Sequence, residues 1–466
     1  MFLHCRACAA KACGRLLLCS GSAALMTGLI ASTVIAPGNC RGSEPENILD
    51  ATLELPSWDY NLTISPDEVI KVCNDALSSA EKLSTKKAAA TYKRRAEAFI
   101  ANAKYKEALE DLDKVLTIGA SDRDARCKRA AVLSSLGKNE EATSALKEII
   151  KEHPQYAPPL VELAAISAQG RDNELAIKYL TTAIELDKQF LQAYFMRAQV
   201  YYRQSDYQRC IHDLDFLIER LPLAGRENAE RPYLIRGNAF SKLGEHERAV
   251  ANLHMAARLA PNSVEIKYAL WSAYYSSQRY NVSLKIANEI VSMDQKHGSG
   301  YYACASTLNA LQKPDEALAV AKRGLLVTPD NVHLLYEVGH AYDNLGRYDS
   351  AIDQYNEVLA READHPRALF KKASLLCTCP DEKIRDGKAA LEIALRGERI
   401  TRKDKINRPL ALEVLAAAYA ENGQYEEAVK TVQNCIKLSN DENQIFKDLL
   451  SAQLDLYKAG KPYRRQ

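Results

Sequence analysis

Residues 332–365 read VHLLYEVGHAYDNLGRYDSAIDQYNEVLAREADH, and this stretch shows the pattern that decides the fold. A small residue, Gly339, is followed by Tyr342, by a break at Gly346 and then by Ala351 in a second amphipathic segment. Small residues at such positions let two helices approach closely, and a glycine commonly ends the first of them. The stretch therefore predicts a helix, a short turn and a second helix.

The alanine of this pattern recurs along the chain at a nearly constant step. The step is 34 residues in six cases, 39 in two and 38 in one. A fixed period of this length is the signature of a helical solenoid, in which each repeat buries its apolar face against its neighbours. We call the recurring positions the alanine ladder: Ala108, Ala142, Ala176, Cys210, Ala249, Ser283, Ala317, Ala351, Ala390 and Ala428.

The period and the pattern small–x–x–aromatic, Gly–x–Tyr–x–x–Ala and a closing Pro resemble the tetratricopeptide repeat family. Ten units in phase, from about residue 89 to residue 442, carry this resemblance. It implies an all-α fold, a right-handed helical solenoid of about ten helix-turn-helix repeats. The loop CTCPDEKIRDGK and the ending LYKAGKPYR are also similar to those of exported bacterial members of the family.

Departures from the period suggest how the chain is organised. Extra residues near 223–229 and 378–387 are either tolerated surface additions or part of a binding face. The predicted segments are a signal peptide or N-terminal membrane anchor (1–36), a linker (37–64), an N-terminal capping half-repeat (65–88), units 1–4 (89–224), units 5–10 (230–442) and a C-terminal capping helix with a tail (443–466).

The N-terminal segment has the charge pattern of an export signal. Arg6, Lys11 and Arg15 precede residues 16–36, which carry no charge. Because about 20 apolar residues span a bilayer, this run fits either a cleaved signal peptide or an uncleaved anchor. Both alternatives predict that the array is exported, to a periplasmic or extracellular location, and that the membrane is contacted only through this segment.

The overall charge argues against nucleic-acid binding. Lysine and arginine total 62 against 60 aspartate and glutamate, a net charge of +2, whereas nucleic-acid binding usually requires a basic patch. The basic clusters are short, so they are predicted to be solvated surface: Lys86, Lys87, Lys93, Arg94, Arg95, Lys461, Arg464 and Arg465.

No catalytic motif is found in the sequence. It contains no glycine-rich phosphate loop, GxSxG or HExxH motif and, outside residues 1–36, no CxxC motif, so we expect a protein that is not an enzyme and has no cofactor. The densest titratable cluster is His333, Glu337, His340 and Asp343, but His333 and His340 lie about 10 Å apart on a helix, too far to share a metal ion. No metal site is expected.

Most of the twelve cysteines have a structural explanation. Four lie in the targeting segment, and Cys73, Cys210 and Cys435 fall at helix-packing positions, where a thiol acts as a small apolar group. Cys377 and Cys379 are too close in sequence for an unstrained disulfide, and no further metal ligand lies near them. A structural role is therefore predicted for these thiols.

The resemblance implies a ligand groove, because the first helices of such repeats line the concave surface. Aromatic rings flanked by amides and arginines suit an extended peptide or a partner helix. The positions that the family pattern assigns to this groove are Phe195, Tyr202, Arg203, Asn238, Tyr268, Tyr275, Tyr302, Asn309, Tyr336, His340, Asn344, Arg367 and Phe370. The sequence thus predicts a scaffold that binds a protein partner whose identity it does not reveal.

Several alternatives remain open at this level. The aromatic side chains of the groove set are equally consistent with packing against adjacent helices. Stacked aromatics with amides also suit a carbohydrate or cell-wall ligand, and an accessory subunit of an envelope enzyme complex is a further possibility. Some family members clamp acidic peptides of chaperones, but here Glu97 stands near Lys93, and a carboxylate disfavours an anionic ligand.

Overall fold

All ten residues of the alanine ladder have 0% exposed surface. Each lies early in the second helix of a helix pair, and the two helices of each pair are in contact. Within the residues that the computed structural model describes, there are α-helices, one 3-10 helix and no strand, so the prediction of an all-α repeat solenoid is confirmed. The described ranges are 65–78, 83–221, 229–404, 407–439 and 444–465.

The described residues divide into two compact units, and the first unit ends at Leu259. Its helices are α1 (Pro66–Ser78), α2 (Thr85–Ala101), α3 (Tyr105–Ile118), α4 (Arg123–Ser135), α5 (Asn139–Glu152), α6 (Pro158–Gln169), α7 (Asn173–Leu186), α8 (Leu191–Arg203), α9 (Tyr207–Arg220), α10 (Glu230–Leu243) and α11 (His246–Leu259).

The second unit begins at Ala260. Its helices are α12 (Val264–Ser276), α13 (Tyr280–Met293), α14 (Gly298–Ala310), α15 (Pro314–Val327), α16 (Val332–Asn344), α17 (Tyr348–Arg361), α18 (Pro366–Thr378), α19 (Gly387–Thr401), α20 (Arg408–Glu421), α21 (Tyr425–Leu438) and α22 (Gln444–Lys458), with the 3-10 turn Glu382–Ile384 between α18 and α19.

Local sequence explains where these helices begin and end. The side chain of Asn331 accepts hydrogen bonds from two backbone N–H groups in the first turn of α16, which satisfies donors that have no partner inside the helix. Gly346 has a φ of +72° just after α16, a conformation that side chains rarely tolerate. The break predicted at Gly346 therefore lies where the two helices of the repeat are joined.

Small residues allow the two helices of a repeat to touch. A Cβ atom added to Gly339 would lie 2.8 Å from the ring of Tyr355 on the facing helix. Tyr355 is itself fully buried, together with Ala351 and Val358. Burial of these side chains between the helices is the main source of stability in such an array, since no repeat has a core of its own.

First helices also contact each other along the second unit. Helix α14 contacts α16, and α18 contacts α20, in addition to the contacts between consecutive helices. Because one helix per repeat lines this surface, side chains from successive repeats are brought next to each other. This arrangement positions the candidate functional site.

The described helices are too short or too polar to cross a membrane. Residues 1–64, which include the predicted export signal, lie outside the described residues, as do residues 223–228 of the insertion predicted near 223–229. The cysteines that the structure describes are buried free thiols: Cys73, Cys127, Cys210, Cys304, Cys377, Cys379 and Cys435.

Candidate functional site

Four of the predicted groove residues lie in the first unit, on α8 and α10. Arg203 is exposed, Phe195 and Tyr202 are half-buried, and Asn238 is buried. The ring of Tyr202 makes an edge contact with Tyr207, with centroids 5.5 Å apart. In this unit the exposed part of the predicted set is therefore concentrated at the end of α8.

The other nine predicted residues lie in the second unit, on α12, α14, α16 and α18, and their aromatic rings are only 1–6% exposed. Tyr268 and Tyr275 pack on Trp271, with centroid distances of 4.9 and 5.3 Å. Phe370 lies so close to Gly397 that an added Cβ would be 2.8 Å from its ring. These rings contribute to packing between helices, and their contact with a ligand stays a prediction.

Side chains of successive first helices nevertheless form a connected series. Trp271 contacts Tyr302 at 5.9 Å, and Tyr302 contacts His333 at 5.5 Å between ring centroids. The amide of Asn309 donates a 2.8 Å hydrogen bond to the Glu337 carboxylate. We call this series the first-helix row: Trp271, Tyr302, Asn309, His333, Tyr336, Glu337 and Arg367.

A fully buried carboxylate, Glu337, lies at the centre of the row. Arg367 Nη1 is 3.5 Å from one of its oxygens, and His340 Nδ1 is 3.7 Å from the other. Burial alone would raise the pKa of Glu337, but the neighbouring His340 and the charge of Arg367 outweigh it and lower the pKa. Arg367 also lies over the Tyr336 ring at 4.0 Å, so it joins the polar and aromatic parts of the row.

Two buried histidines in this region are held in the neutral form. Burial and the nearby Lys371 lower the pKa of His340. Burial, Arg367 and His333 lower the pKa of His365 to about 3. Because His365 Nδ1 accepts the Ala368 N–H at 3.2 Å, the neutral form is the one that starts helix α18.

Two further carboxylates lie at the C-terminal ends of the first helices of their repeats. Asp343 on α16 contacts Lys371 Nζ at 3.2 Å and Arg465 Nη2 at 2.7 Å. Glu421, the last residue of α20, is 2.6 Å from Arg464 Nη1. Carboxylates in the last turn of a helix oppose its dipole and so need a cation nearby. This was the sequence signal that could have identified both residues as ion-pair partners.

The prediction that the basic clusters are solvated surface is wrong for four of their residues. Arg94 is buried, and Arg95 makes two 2.7 Å hydrogen bonds with Asp111. Arg464 and Arg465 are drawn into the ion pairs described above. Local composition could not show the pairs of Arg95, Arg464 and Arg465, because their carboxylate partners belong to other helices.

The region around Lys93 does not offer an anion site. Lys93 Nζ lies 2.5 Å from Asp124 and 3.3 Å from Asp122, so two carboxylates already neutralise it. Glu97 is paired with Arg94 and Lys128. This arrangement agrees with the sequence argument against a clamp for acidic peptides.

The part of the chain that the structure describes contains no group of three or more His, Cys, Asp or Glu side chains that could hold a metal ion. In particular, Glu337 and Asp343 are turned to arginine and lysine partners rather than to each other. Both carboxylates are therefore paired with cationic side chains.

Comparison with known proteins identifies the repeat. Family models described as tetratricopeptide repeat match residues 166–209, 308–375 and 411–442. The chain is also similar to DnaJ homolog subfamily C member 3 of Gallus gallus, with 26% identity over 370 residues, and to that of Homo sapiens, with 26% identity over 374 residues.

These alignments cover 79% of this chain and 63% of each relative, so the chain spans less than two thirds of the relatives' length. Among solved structures, yeast Tom70 is similar, with a TM-score of 0.46 and 14% identity over 89% of this chain and 96% of Tom70. The bacterial origin suggested by the sequence stays a prediction.

Proposed function

This chain is a tetratricopeptide repeat protein, and from that premise we propose that it is a non-catalytic scaffold that binds an extended segment of a protein partner. Repeat arrays of this kind are typical of protein–protein interaction. The partner lies along the first-helix row and contacts several repeats at once. A partner helix and a carbohydrate are the alternative occupants, and the carbohydrate is tested below.

The observation that supports the proposal is the continuity of the first-helix row over four helices of the second unit. Ring contacts connect α12 to α14 and α14 to α16, and the Asn309–Glu337 and Arg367–Tyr336 contacts continue the row to α18. A row that takes one to three side chains from each repeat matches a ligand that is itself extended. Among its polar side chains, His333 is exposed and Arg367 is half-buried, so these two are the groups that a peptide can reach.

The proposal is tested by capturing binding partners with the purified chain and measuring their affinity for variants of it. Truncation of Tyr302 or Tyr336 would disturb buried packing, so the informative variant is His333→Ala/Asn344→Ala, at one exposed and one half-buried position of α16. The matched control is Asp353→Ala/Asn356→Ala, at two exposed positions of α17. We expect the α16 variant to lose at least tenfold in affinity, by surface plasmon resonance, while its circular dichroism is unchanged.

If the α16 variant keeps every partner at wild-type affinity, the first-helix row is not the binding surface. Glycan-array screening of the wild-type chain addresses the carbohydrate alternative. Binding of a defined oligosaccharide that the α16 variant loses and the α17 variant keeps would replace the peptide proposal.

A second candidate function is a role beside a chaperone, as a co-chaperone. The likeness to DnaJ homologues over 79% of this chain favours it. Light scattering of a chemically unfolded client protein is the direct measurement. We expect the wild-type chain to suppress aggregation and the His333→Ala/Asn344→Ala variant to do so less well; equal inactivity of both would argue against this candidate.

We also propose that residues 1–36 direct export, as a cleaved signal peptide or as an anchor. The support is the sequence pattern alone, a basic start followed by an uncharged run at 16–36. Intact mass measurement of the protein recovered from its native host separates the two forms. A full-length protein that stays soluble in the cytosol would contradict both.

A further inference from the structure

The segment that follows α22 runs back along the second unit as an extended strap, which we define as residues Lys461–Arg465. Gly460 has a φ of +66° and ends α22, with Lys461 N–H donating to the Leu456 carbonyl at 2.9 Å. Tyr463 packs with the cluster formed by α20, α21 and α22. The two arginines then reach successively earlier repeats.

Arg464 binds at the ends of α18 and α20. Its Nη1 lies 2.6 Å from the Glu421 carboxylate, and it donates to the Cys377 carbonyl at 3.2 Å. Cys377 is in the last turn of α18, where carbonyl groups have no partner within the helix. One guanidinium therefore bridges a carboxylate and a helix terminus, two groups that both attract positive charge.

Arg465 binds one repeat further back, at the ends of α16 and α18. Its Nη2 contacts Asp343 at 2.7 Å, and its backbone N–H donates to the Thr378 carbonyl at 3.1 Å. The guanidinium also lies over the Tyr348 ring, 4.7 Å from the centroid. Stacking and a carboxylate together favour arginine over lysine, whose ammonium group has no flat face.

Each carboxylate keeps a second cation that does not belong to the strap. Lys371 contacts Asp343 at 3.2 Å, and Arg385 contacts Glu421 at 3.3 Å. Removing the strap therefore would not leave a bare buried charge, which is the costly outcome for a buried ion pair. The strap arginines are also partly accessible, with 34% of the Arg464 and 22% of the Arg465 side chain exposed. The two pockets can thus persist without their present occupant.

We propose that the two pockets, built from Asp343, Glu421, Tyr348 and the last carbonyls of α18, form a binding site for a partner protein's extended segment that carries two adjacent arginines. The strap is the intramolecular occupant of this site and competes with the partner. This site lies at the helix ends, is separate from the first-helix row and goes beyond the function proposed above.

The strap and an added peptide compete for the same two pockets, and the test depends on this competition. A short tether holds the strap at an effective concentration in the millimolar range, so a free peptide of the same sequence binds the wild-type chain only weakly. Removing the strap arginines removes the competitor but leaves both pockets in place. The probe is a fluorescein-labelled peptide with the sequence KPYRRQ, and its lysine counterpart KPYKKQ is the control.

Fluorescence anisotropy on the full chain gives the readout. We expect Arg464→Ala/Arg465→Ala to bind KPYRRQ at least tenfold more tightly than the wild-type chain does. The same variant should bind KPYKKQ clearly more weakly than it binds KPYRRQ. Adding Asp343→Asn and Glu421→Gln to that variant should reduce the affinity for KPYRRQ at least tenfold. The affinity should also fall as the salt concentration rises, because both contacts are ionic.

The variant Arg464→Lys/Arg465→Lys keeps both positive charges, so it serves as a control if the alanine variant fails to fold. It should also bind KPYRRQ more tightly than the wild type, because its strap competes less well. Equal affinity of the wild-type chain and both strap variants for KPYRRQ would overturn the proposal. The partner captures described under the proposed function use an intact strap, so failure here leaves that result unaffected.

Discussion

The two units are built from the same repeat but place their buried charges differently. In the first unit, arginine–aspartate pairs connect the two helices of one repeat: Arg95 with Asp111, and Arg197 with Asp213, whose distances are 2.7–2.8 Å. In the second unit, buried polar contacts connect the first helices of neighbouring repeats, as in the Asn309–Glu337 bond and the Arg367–Glu337 and Lys371–Asp343 pairs.

This difference separates stability within a repeat from coupling between repeats. In a linear array, the stability is the sum of repeat terms and nearest-neighbour interface terms. The arginine–aspartate pairs of the first unit stabilise single repeats, whereas the polar contacts of the second unit stabilise the interfaces between neighbouring repeats. Pairs between repeats also occur at α2 and α4, but they are more exposed than Glu337, so solvent screens them more strongly.

The largest expected effect comes from breaking the network at Glu337. Arg367→Met leaves a fully buried carboxylate without its guanidinium, which should destabilise the second unit by about 3 kcal/mol. Urea unfolding measures the change, and hydrogen exchange should show faster exchange in α14, α16 and α18. Arg361→Met is the matched control, because the partners Glu357 and Asp330 of Arg361 are about half or more exposed and solvent screening should make its cost much smaller. Equal costs for the two variants would contradict the proposed coupling.

The next effect is a pH dependence of the second unit. His365 has a folded-state pKa of about 3 against an ordinary value of 6.5, so below pH 6.5 the unfolded chain binds more protons. The contribution of His365 to the free energy of unfolding is therefore fully present above pH 6.5 and is lost as the pH falls toward 3. The loss between pH 7 and pH 5 is about 2 kcal/mol.

His365→Asn sharpens this test, since asparagine also caps a helix but does not titrate. Urea midpoints at pH 7, 6 and 5 should fall less steeply for this variant than for the wild-type chain. Parallel curves would show that His365 is not the source of the pH dependence.

The smallest effect is expected within a repeat of the first unit. Asp213→Asn keeps the shape of the acceptor of Arg197 but removes its charge. The following repeat already has such a neutral pair, in which Arg236 donates to the side-chain oxygen of Asn252 at 2.8 Å. We expect a loss of about 1 kcal/mol, the difference between a charged and a neutral hydrogen bond. A loss above that of Arg367→Met, by urea unfolding, would reverse the comparison between the units.

The sequence was sufficient to predict the repeat, the helix pairs and the burial of the alanine ladder. These features depend on spacing, and a 34-residue period places the same side chain at the same contact in every unit. The candidate site could be predicted only in part. Asn309, Tyr336 and Arg367 were correctly expected on first helices, but Glu337 was not included among the binding residues, and Arg464 and Arg465 were expected in solvent.

The spacing of residues was enough to show that this chain is an array, because periodicity is local and each repeat needs only its neighbours to bury its apolar face. Which charges pair with each other became known only from the packing of the helices. Glu337 lies 28 residues from Asn309, and Arg464 lies 87 residues from Cys377, so no pattern within one repeat reveals either contact. Such pairs depend on how successive helices are stacked, and it is this stacking that brings the strap arginines to the ends of α16, α18 and α20.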